Sequence, residues 1–72
     1  MRKPIKLLDV VALTKDIPEK KLYRGQVGTV IEIHSSTMFE VEFSDDEGIT
    51  YNLLPLSRSH LMVLHYHPVE YA

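Results

Sequence analysis

The sequence predicts an all-β domain built as a small five-stranded barrel. Three observations lead to this prediction: apolar runs of strand length recur along the chain, turn-forming residues separate them, and no segment predicts a helix of useful length. The 72 residues are 44% hydrophobic and 25% charged, an ordinary globular composition. A chain of this length forms one domain, here residues 1–72, with a small core.

The first strand is expected at residues 8–14, where a run rich in β-branched residues is closed by the breaker Pro18. A polar loop, TKDIPEKKLYRG, follows and is the longest irregular segment of the chain, with Ile17, Leu22 and Tyr23 as its anchors. Long loops that stay ordered in a compact domain often carry function. The loop is therefore the first place to look for a binding surface.

The next strands form a meander. GTVIEIH and FEVEF are joined by the polar turn HSSTM, and FEVEF has the clearest pattern in the chain. Its Phe39, Val41 and Phe43 share one face, with glutamates on the other, which is the period of two of a half-buried antiparallel strand.

The fourth strand, ITYNL, follows the turn SDDEG and is expected to place its apolar residues on one face; these residues are Ile49, Tyr51 and Leu53. Pro55 should end this strand, Leu56 to His60 should form one short helical turn, and LMVLHY should be the fifth strand. The barrel would span residues 7–66, with residues 67–72 as a tail. These features together predict an SH3-like barrel, whose closure removes exposed sheet edges.

The segment GQVGTV raises the question of a phosphate-binding loop. It matches neither GxxxxGK[ST] nor GxGxxG, and it leads into a strand instead of a helix. Gly25 is expected to supply a positive φ, Gly28 a close approach between backbones, and Gly48 the end of the SDDEG turn. The three glycines are therefore interpreted as structural.

Several landmarks carry a resemblance to a known family: DVVAL at residues 9–13, GQVGTV at 25–30, EVEF at 40–43 and DEG at 46–48. With them, nearly the whole chain resembles a family of short, uncharacterised bacterial proteins, domain of unknown function 4926. This resemblance implies no catalytic residues, and an association of its members with toxin-like genes implies an antitoxin or immunity role. GxxGTV also resembles KOW-type and other SH3-like barrels, including ribosomal proteins and accessory subunits of photosynthetic electron-transfer complexes, which implies a binding role.

The composition excludes some chemistry. There is no cysteine, so neither a disulfide framework nor a thiolate site is available. The apolar runs are too short for a membrane span, and the N-terminal segment lacks the pattern of a signal peptide, so a cytoplasmic location without membrane association is expected.

The sequence contains only weak patterns of catalytic or metal-binding residues. His65 and His67 would point the same way on a strand, with Glu70 or His60 as a third ligand, but a solvated pair is the favoured interpretation and no metal or other cofactor is predicted. Ser57 and Ser59 lie near His60 without a G-x-S-x-G elbow, and adjacent residues rarely align as nucleophile and base. We expect a protein that is not an enzyme.

Charge is divided unevenly along the chain. Residues 1–24 carry seven basic and three acidic residues, a net charge of +4, and residues 25–72 carry one basic and seven acidic residues, a net charge of −6. Two candidate partner-binding sets follow. One is the basic loop, Lys15, Lys20, Lys21, Tyr23 and Arg24; the other is the acidic face, Glu40, Glu42, Asp45, Asp46 and Glu47.

These sets predict a non-catalytic protein-interaction module, such as the antitoxin, immunity or accessory partner of a neighbouring bacterial protein. Self-association is compatible with the same charge split. One alternative is a KOW-like module that binds RNA or the ribosome through the basic loop. Another is an accessory subunit that docks an acidic electron-transfer partner. The sequence does not identify the partner, the oligomeric state or the pathway.

Overall fold

The computed structural model describes residues 4–65, which form five antiparallel strands in one sheet of order β4-β3-β2-β1-β5. The strands are β1 (Val10–Leu13), β2 (Val27–Ile33), β3 (Met38–Ser44), β4 (Thr50–Ser57) and β5 (Leu61–Val63). Two 3-10 turns, Pro18–Lys20 and Arg58–His60, are the only helical segments of this part of the chain. The predicted all-β, SH3-like barrel is confirmed.

The connection from β4 to β5 shows that the sheet curls into a barrel. These strands lie at opposite edges of the sheet, yet the three-residue turn Arg58–His60 joins them directly. The turn is tied to β1 by a hydrogen bond from the backbone N–H of Thr14 to the carbonyl of His60, at 2.9 Å. Three residues can span two opposite edges only if the sheet is rolled until those edges approach each other.

Buried and less buried side chains alternate along β3, as the sequence pattern predicted. Phe39, Val41 and Phe43 are all buried and face the core, while the two glutamates between them lie on the outer face. The core cluster consists of Ile5, Val11, Leu13, Leu22, Val30, Phe39, Val41, Phe43, Leu54, Leu56 and Leu61. Burial of these side chains is the main favourable contribution to folding in so small a domain.

The first strand is shorter than predicted. It begins at Val10 because Leu8, expected to be in the strand, has φ of +69°, outside the β region. A turn precedes it, in which the backbone N–H of Lys6 donates to Asp9 Oδ2 at 2.8 Å. The fifth strand also ends earlier than LMVLHY predicted, at Val63, and Tyr66 lies outside the described residues.

The fourth strand is longer than predicted, and Pro55 does not end it. It runs through Pro55 to Ser57, because β4 is an edge strand and proline is tolerated where no donor is needed on the free side. The helical turn is correspondingly shorter, Arg58–His60 instead of Leu56 to His60.

The apolar face expected for the fourth strand is exposed. Leu53 lies on the outer face opposite Glu42, whereas the core receives Leu54 and Leu56 from the alternate positions. Tyr51 is about half exposed, and its ring lies 6.3 Å from that of buried Phe43. Pairing with β3 shifts register between Phe43 and Ser44. Both faces of β4 carry apolar residues, so the sequence pattern by itself does not determine which face is buried.

Two glycines permit the bend of the barrel. A Cβ built on Gly28 would lie 2.7 Å from Val41 Cγ1 and 2.9 Å from the carbonyl oxygen of Glu42, so β2 and β3 approach too closely for any larger residue. Gly25, in the turn before β2, has φ of +95°. The close approach and the positive φ agree with the structural roles expected of GQVGTV.

Leu22 provides the first test of the fold, because it is a loop residue with a fully buried side chain. Replacing Leu22 with Ala should lower the free energy of unfolding by about 2–5 kcal/mol, through lost transfer energy and the cavity left behind. Urea unfolding followed by circular dichroism measures this loss. Leu22→Met, which conserves volume, should cost less than about 1.5 kcal/mol. Equal losses in the two variants would contradict the packing role.

Gly28 provides the second test. Gly28→Ala should lower the free energy of unfolding by about 1–3 kcal/mol, because the new methyl group overlaps β3. Gly25→Ala is the matched control: a Cβ there meets nothing within 4 Å, so only the cost of the positive φ, about 1–2 kcal/mol, applies. Val41→Ala has a cost of its own because Val41 is fully buried, so the test is a double-mutant cycle: the loss in the double variant should be smaller than the sum of the two single losses if the clash with Val41 contributes.

Candidate partner-binding surfaces

The loop between β1 and β2 has a fixed shape. Asp16 Oδ1 accepts a hydrogen bond from the backbone N–H of Arg24 at 2.8 Å, and an isolated bridge pairs Ile17 with Leu22. Leu22 is completely buried and Ile17 packs against the core cluster. The loop is therefore held at its base by polar contacts and along its middle by apolar packing.

A further contact joins this loop to β4. Asn52 Nδ2 donates to the carbonyl oxygen of Lys20 at 2.9 Å, and Asn52 Oδ1 accepts from the backbone N–H of Leu53 at 3.1 Å. The loop leaves the sheet from β1 but is attached to β4, and β2 and β3 lie between these two strands in the sheet order. It thus covers the side of the barrel between the first strand and the fourth.

The groove lies between this loop and the end of β4. It has a volume of about 390 Å³ and is lined by Asp16, Ile17, Glu19, Lys20, Met38, Leu54, Pro55, Leu56, Ser57 and His60. Five of these residues are apolar and form its floor, and the charged residues lie on the loop wall. A concave apolar site with a few polar groups at its rim is typical of ligand-binding sites.

The basic loop predicted from the sequence is exposed at every one of its positions, Lys15, Lys20, Lys21, Tyr23 and Arg24. Lys20 is the member that also lines the groove. Lys21 has φ of +57° and caps the 3-10 turn Pro18–Lys20. The structure therefore presents these side chains from a rigid backbone.

The acidic face is divided between two locations. Glu40 and Glu42 lie on the outer face of β3, where Glu40 Oε1 is 2.6 Å from His34 Nε2 and Glu42 Oε2 accepts from the Thr50 hydroxyl at 2.8 Å. Asp45 lies in the β3–β4 turn, and its Oδ1 accepts from the backbone N–H of Ile49 at 3.0 Å. Asp45 thus has a structural role in that turn.

Asp46 and Glu47, the remaining acidic residues, are exposed in the turn between β3 and β4. They are available to a partner, whereas Asp45 is occupied by backbone donors. The sequence pattern grouped the three carboxylates because they are adjacent.

Tyr23 and Tyr51 lie outside the groove. Neither is among its lining residues, and Tyr66 lies outside the described residues. Instead, the Gln26 side chain links the two: its Oε1 accepts from the backbone N–H of Tyr23, and its Nε2 donates to the Tyr51 hydroxyl at 3.2 Å. Both tyrosines are about half exposed, at 51% and 48%.

Ser57 and His60 do meet, contrary to the expectation that neighbours in sequence rarely align. Ser57 Oγ is 2.7 Å from His60 Nδ1 and 2.8 Å from Ser59 Oγ. The Thr14 hydroxyl donates to the carbonyl of Ser59 at 3.1 Å, so this network connects the 3-10 turn to the end of β1. Its geometry explains how the turn is held in place.

Of the candidate metal ligands, only His60 and His65 lie among the described residues. Among residues 4–65, no three His, Asp or Glu side chains are grouped so as to hold a metal ion. His65 is exposed, whereas His67 and Glu70 lie outside the described residues.

The fold and its surfaces define a class of protein: a small SH3-like barrel with an ordered long loop and a groove beside it. Within residues 4–65 there is no helix long and apolar enough to cross a membrane. A family described as "Domain of unknown function (DUF4926)" matches residues 7–63, and the chain belongs to this family. No curated protein and no solved structure gives a significant match to the chain.

Two residues that shape the groove were missed by the sequence interpretation. Asn52 gave a signal, since it is a polar residue with backbone-like hydrogen-bonding groups inside an otherwise apolar strand. Met38 gave no such signal, because it precedes the alternating pattern of β3 and was assigned to the turn HSSTM.

Asn52 provides a test of how the loop is held. Asn52→Ala should raise amide hydrogen exchange in residues 18–22, because the contact with the Lys20 carbonyl is lost, while β1 and β2 stay protected. Hydrogen exchange read by NMR measures this effect. Thr50→Ala, which removes a surface contact of the same strand, should leave the loop unchanged. Unaltered exchange in Asn52→Ala would show that the contact with Asn52 is not needed to hold the loop.

Proposed function

We propose that the protein is a non-catalytic, bacterial protein-interaction module that works in the cytoplasm and binds a segment of its partner in the groove. The supporting observation is the groove itself, with an apolar floor and a charged wall formed by an ordered loop. The loop is fixed before any partner arrives, so little conformational entropy is lost on binding.

The lining determines what kind of segment fits. Ile17, Met38 and Leu54 offer apolar contact in the floor, so the partner segment should carry apolar side chains. The loop wall carries Asp16 and Glu19 as well as Lys20, so charged residues of both signs in the partner would find opposite charges there. An apolar segment flanked by charged residues of both signs is the proposed ligand.

Antitoxin, immunity protein and accessory subunit are three biological roles of such a module. In each of them the module acts by occlusion or scaffolding, and the identity of the partner distinguishes them. An accessory subunit for an acidic electron carrier would use the same basic loop.

Partner capture from the native cell tests this proposal. A tagged protein should retain one stoichiometric protein after nuclease treatment, identified by mass spectrometry. Met38→Lys should abolish its capture, because a charge is introduced beside the apolar floor. Met62→Lys is the matched control, since Met62 is exposed on β5 and outside the groove lining.

Charge reversal at the loop is the second variant. Lys20→Glu, Lys21→Glu and Arg24→Glu combined should weaken capture and make the residual binding less sensitive to salt. Retention of the partner by both this variant and Met38→Lys, each folded by circular dichroism, would overturn the proposed site.

RNA binding is the second candidate function, favoured by one observation: Tyr23 is half exposed next to Arg24, as a base-stacking side chain beside a phosphate ligand would be. It predicts affinity that falls steeply with salt and disappears in the triple charge reversal. Recovery of nuclease-sensitive ribosomal material alone would favour this function over the first.

A further inference from the structure

One wall of the groove is the free edge of β4. The strand contributes four consecutive residues to the lining, Leu54, Pro55, Leu56 and Ser57. β4 is the last strand of the sheet order and pairs with β3 alone, so its other edge has no partner strand in the sheet. The hydrogen bonds open to a ligand in the groove therefore depend on which backbone groups of β4 point away from β3.

The register of β4 on β3 determines which groups these are. Hydrogen-bonded and non-hydrogen-bonded pairs alternate along an antiparallel ladder. The backbone N–H of Arg58 donates to the carbonyl of Thr37 at 2.9 Å, one position beyond the pair in which Ser57 lies opposite Met38. Alternation from that bond directs the backbone groups of every second residue to the free edge, namely Ser57, Pro55 and Leu53.

Two of these three residues have no free donor at the edge. Pro55 has no N–H, and the N–H of Leu53 donates to Asn52 Oδ1 at 3.1 Å. Their carbonyl oxygens stay available, so this part of the edge offers acceptors without donors. A strand added beside Leu53 and Pro55 would leave its own carbonyls unpaired there. A ligand in the groove should instead supply donors.

The loop wall on the other side of the groove also supplies acceptors. Asp16 and Glu19 bring two carboxylates to the lining and Lys20 brings one ammonium group, a net charge of −1. Within residues 4–65, neither carboxylate forms an ion pair with a side chain of the protein itself. Both walls of the groove are therefore suited to a ligand that carries positive charge and several donors.

An arginine side chain matches both walls and the floor between them. Its guanidinium group has several N–H donors and no acceptor, so it can bond to carboxylates and backbone carbonyls together. Its stem can pack against Ile17, Met38 and Leu56, and a guanidinium group is more weakly hydrated than an ammonium group. The groove volume of about 390 Å³ leaves room for this side chain and the adjoining residues of a partner.

We propose that the groove binds an arginine side chain of the partner, with its stem on the apolar floor and its guanidinium group donating to the loop carboxylates and the carbonyl edge of β4. This inference rests on the proposed function and names the residue that anchors the partner segment. The same carboxylates disfavour a phosphate group in the groove, so an RNA ligand would bind elsewhere on the loop.

NMR titration of the isotope-labelled full chain is the experiment, with the blocked tripeptide acetyl-Leu-Arg-Leu-amide as the probe at up to millimolar concentration. Backbone amide signals within residues 16–20 and 54–57 should shift. Peptides with citrulline or lysine in place of arginine should bind at least about threefold more weakly, since citrulline lacks the charge and lysine lacks the planar group of donors. No binding of the arginine peptide, or equal binding of the three peptides, would overturn the proposal.

Neutral variants of the two carboxylates test the contact itself. Asp16→Asn combined with Glu19→Gln should weaken binding of the arginine peptide about tenfold, because charge-assisted hydrogen bonds are lost. The asparagine keeps the Oδ1 atom that accepts from the backbone of Arg24, so the loop should keep its shape. Asp46→Asn combined with Glu47→Gln is the matched control, with the same change of charge at exposed positions outside the lining. Equal losses in the two double variants would overturn the proposed site.

Partner capture separates this inference from the proposed function. The variant Asp16→Asn, Glu19→Gln should weaken capture of the cellular partner, as Met38→Lys does. If Met38→Lys lost the partner and the carboxylate variant retained it fully, the groove would be the binding site and the arginine inference would be wrong. If both variants retained it, each folded by circular dichroism, the groove would not be the binding site and both proposals would fail.

Discussion

Insertion of the Leu22 side chain into the core is the interaction on which the rest of the structure depends. The loop that carries Leu22 leaves β1 and reaches β4, so its burial covers the side of the barrel that the sheet itself does not pair. Asn52 then holds the loop backbone through the Lys20 carbonyl. The groove borders this loop, and its shape follows from the position of the loop.

Polar side chains in this small domain perform much of the turn chemistry. Asp45 accepts two backbone N–H groups between β3 and β4, and the Ser35 hydroxyl accepts from the backbone N–H groups of Thr37 and Met38 between β2 and β3. The described residues contain no buried side-chain polar atom without a hydrogen-bond partner. Many of the charged side chains that remain are exposed, which leaves them available for recognition.

The sequence by itself determined the strands wherever pattern and burial agree. The alternation of Phe39, Val41 and Phe43 defined β3, and Gly28 marked the close approach of two strands, because each depends on local geometry. The tertiary structure alone decided which face of β4 is buried, since both faces carry apolar residues and the pairing with Phe39 and Val41 places Leu56 and Leu54 in the core. It also decided that Ser57 meets His60. These outcomes depend on contacts between segments distant in sequence or on the fold of a turn, which no local pattern contains.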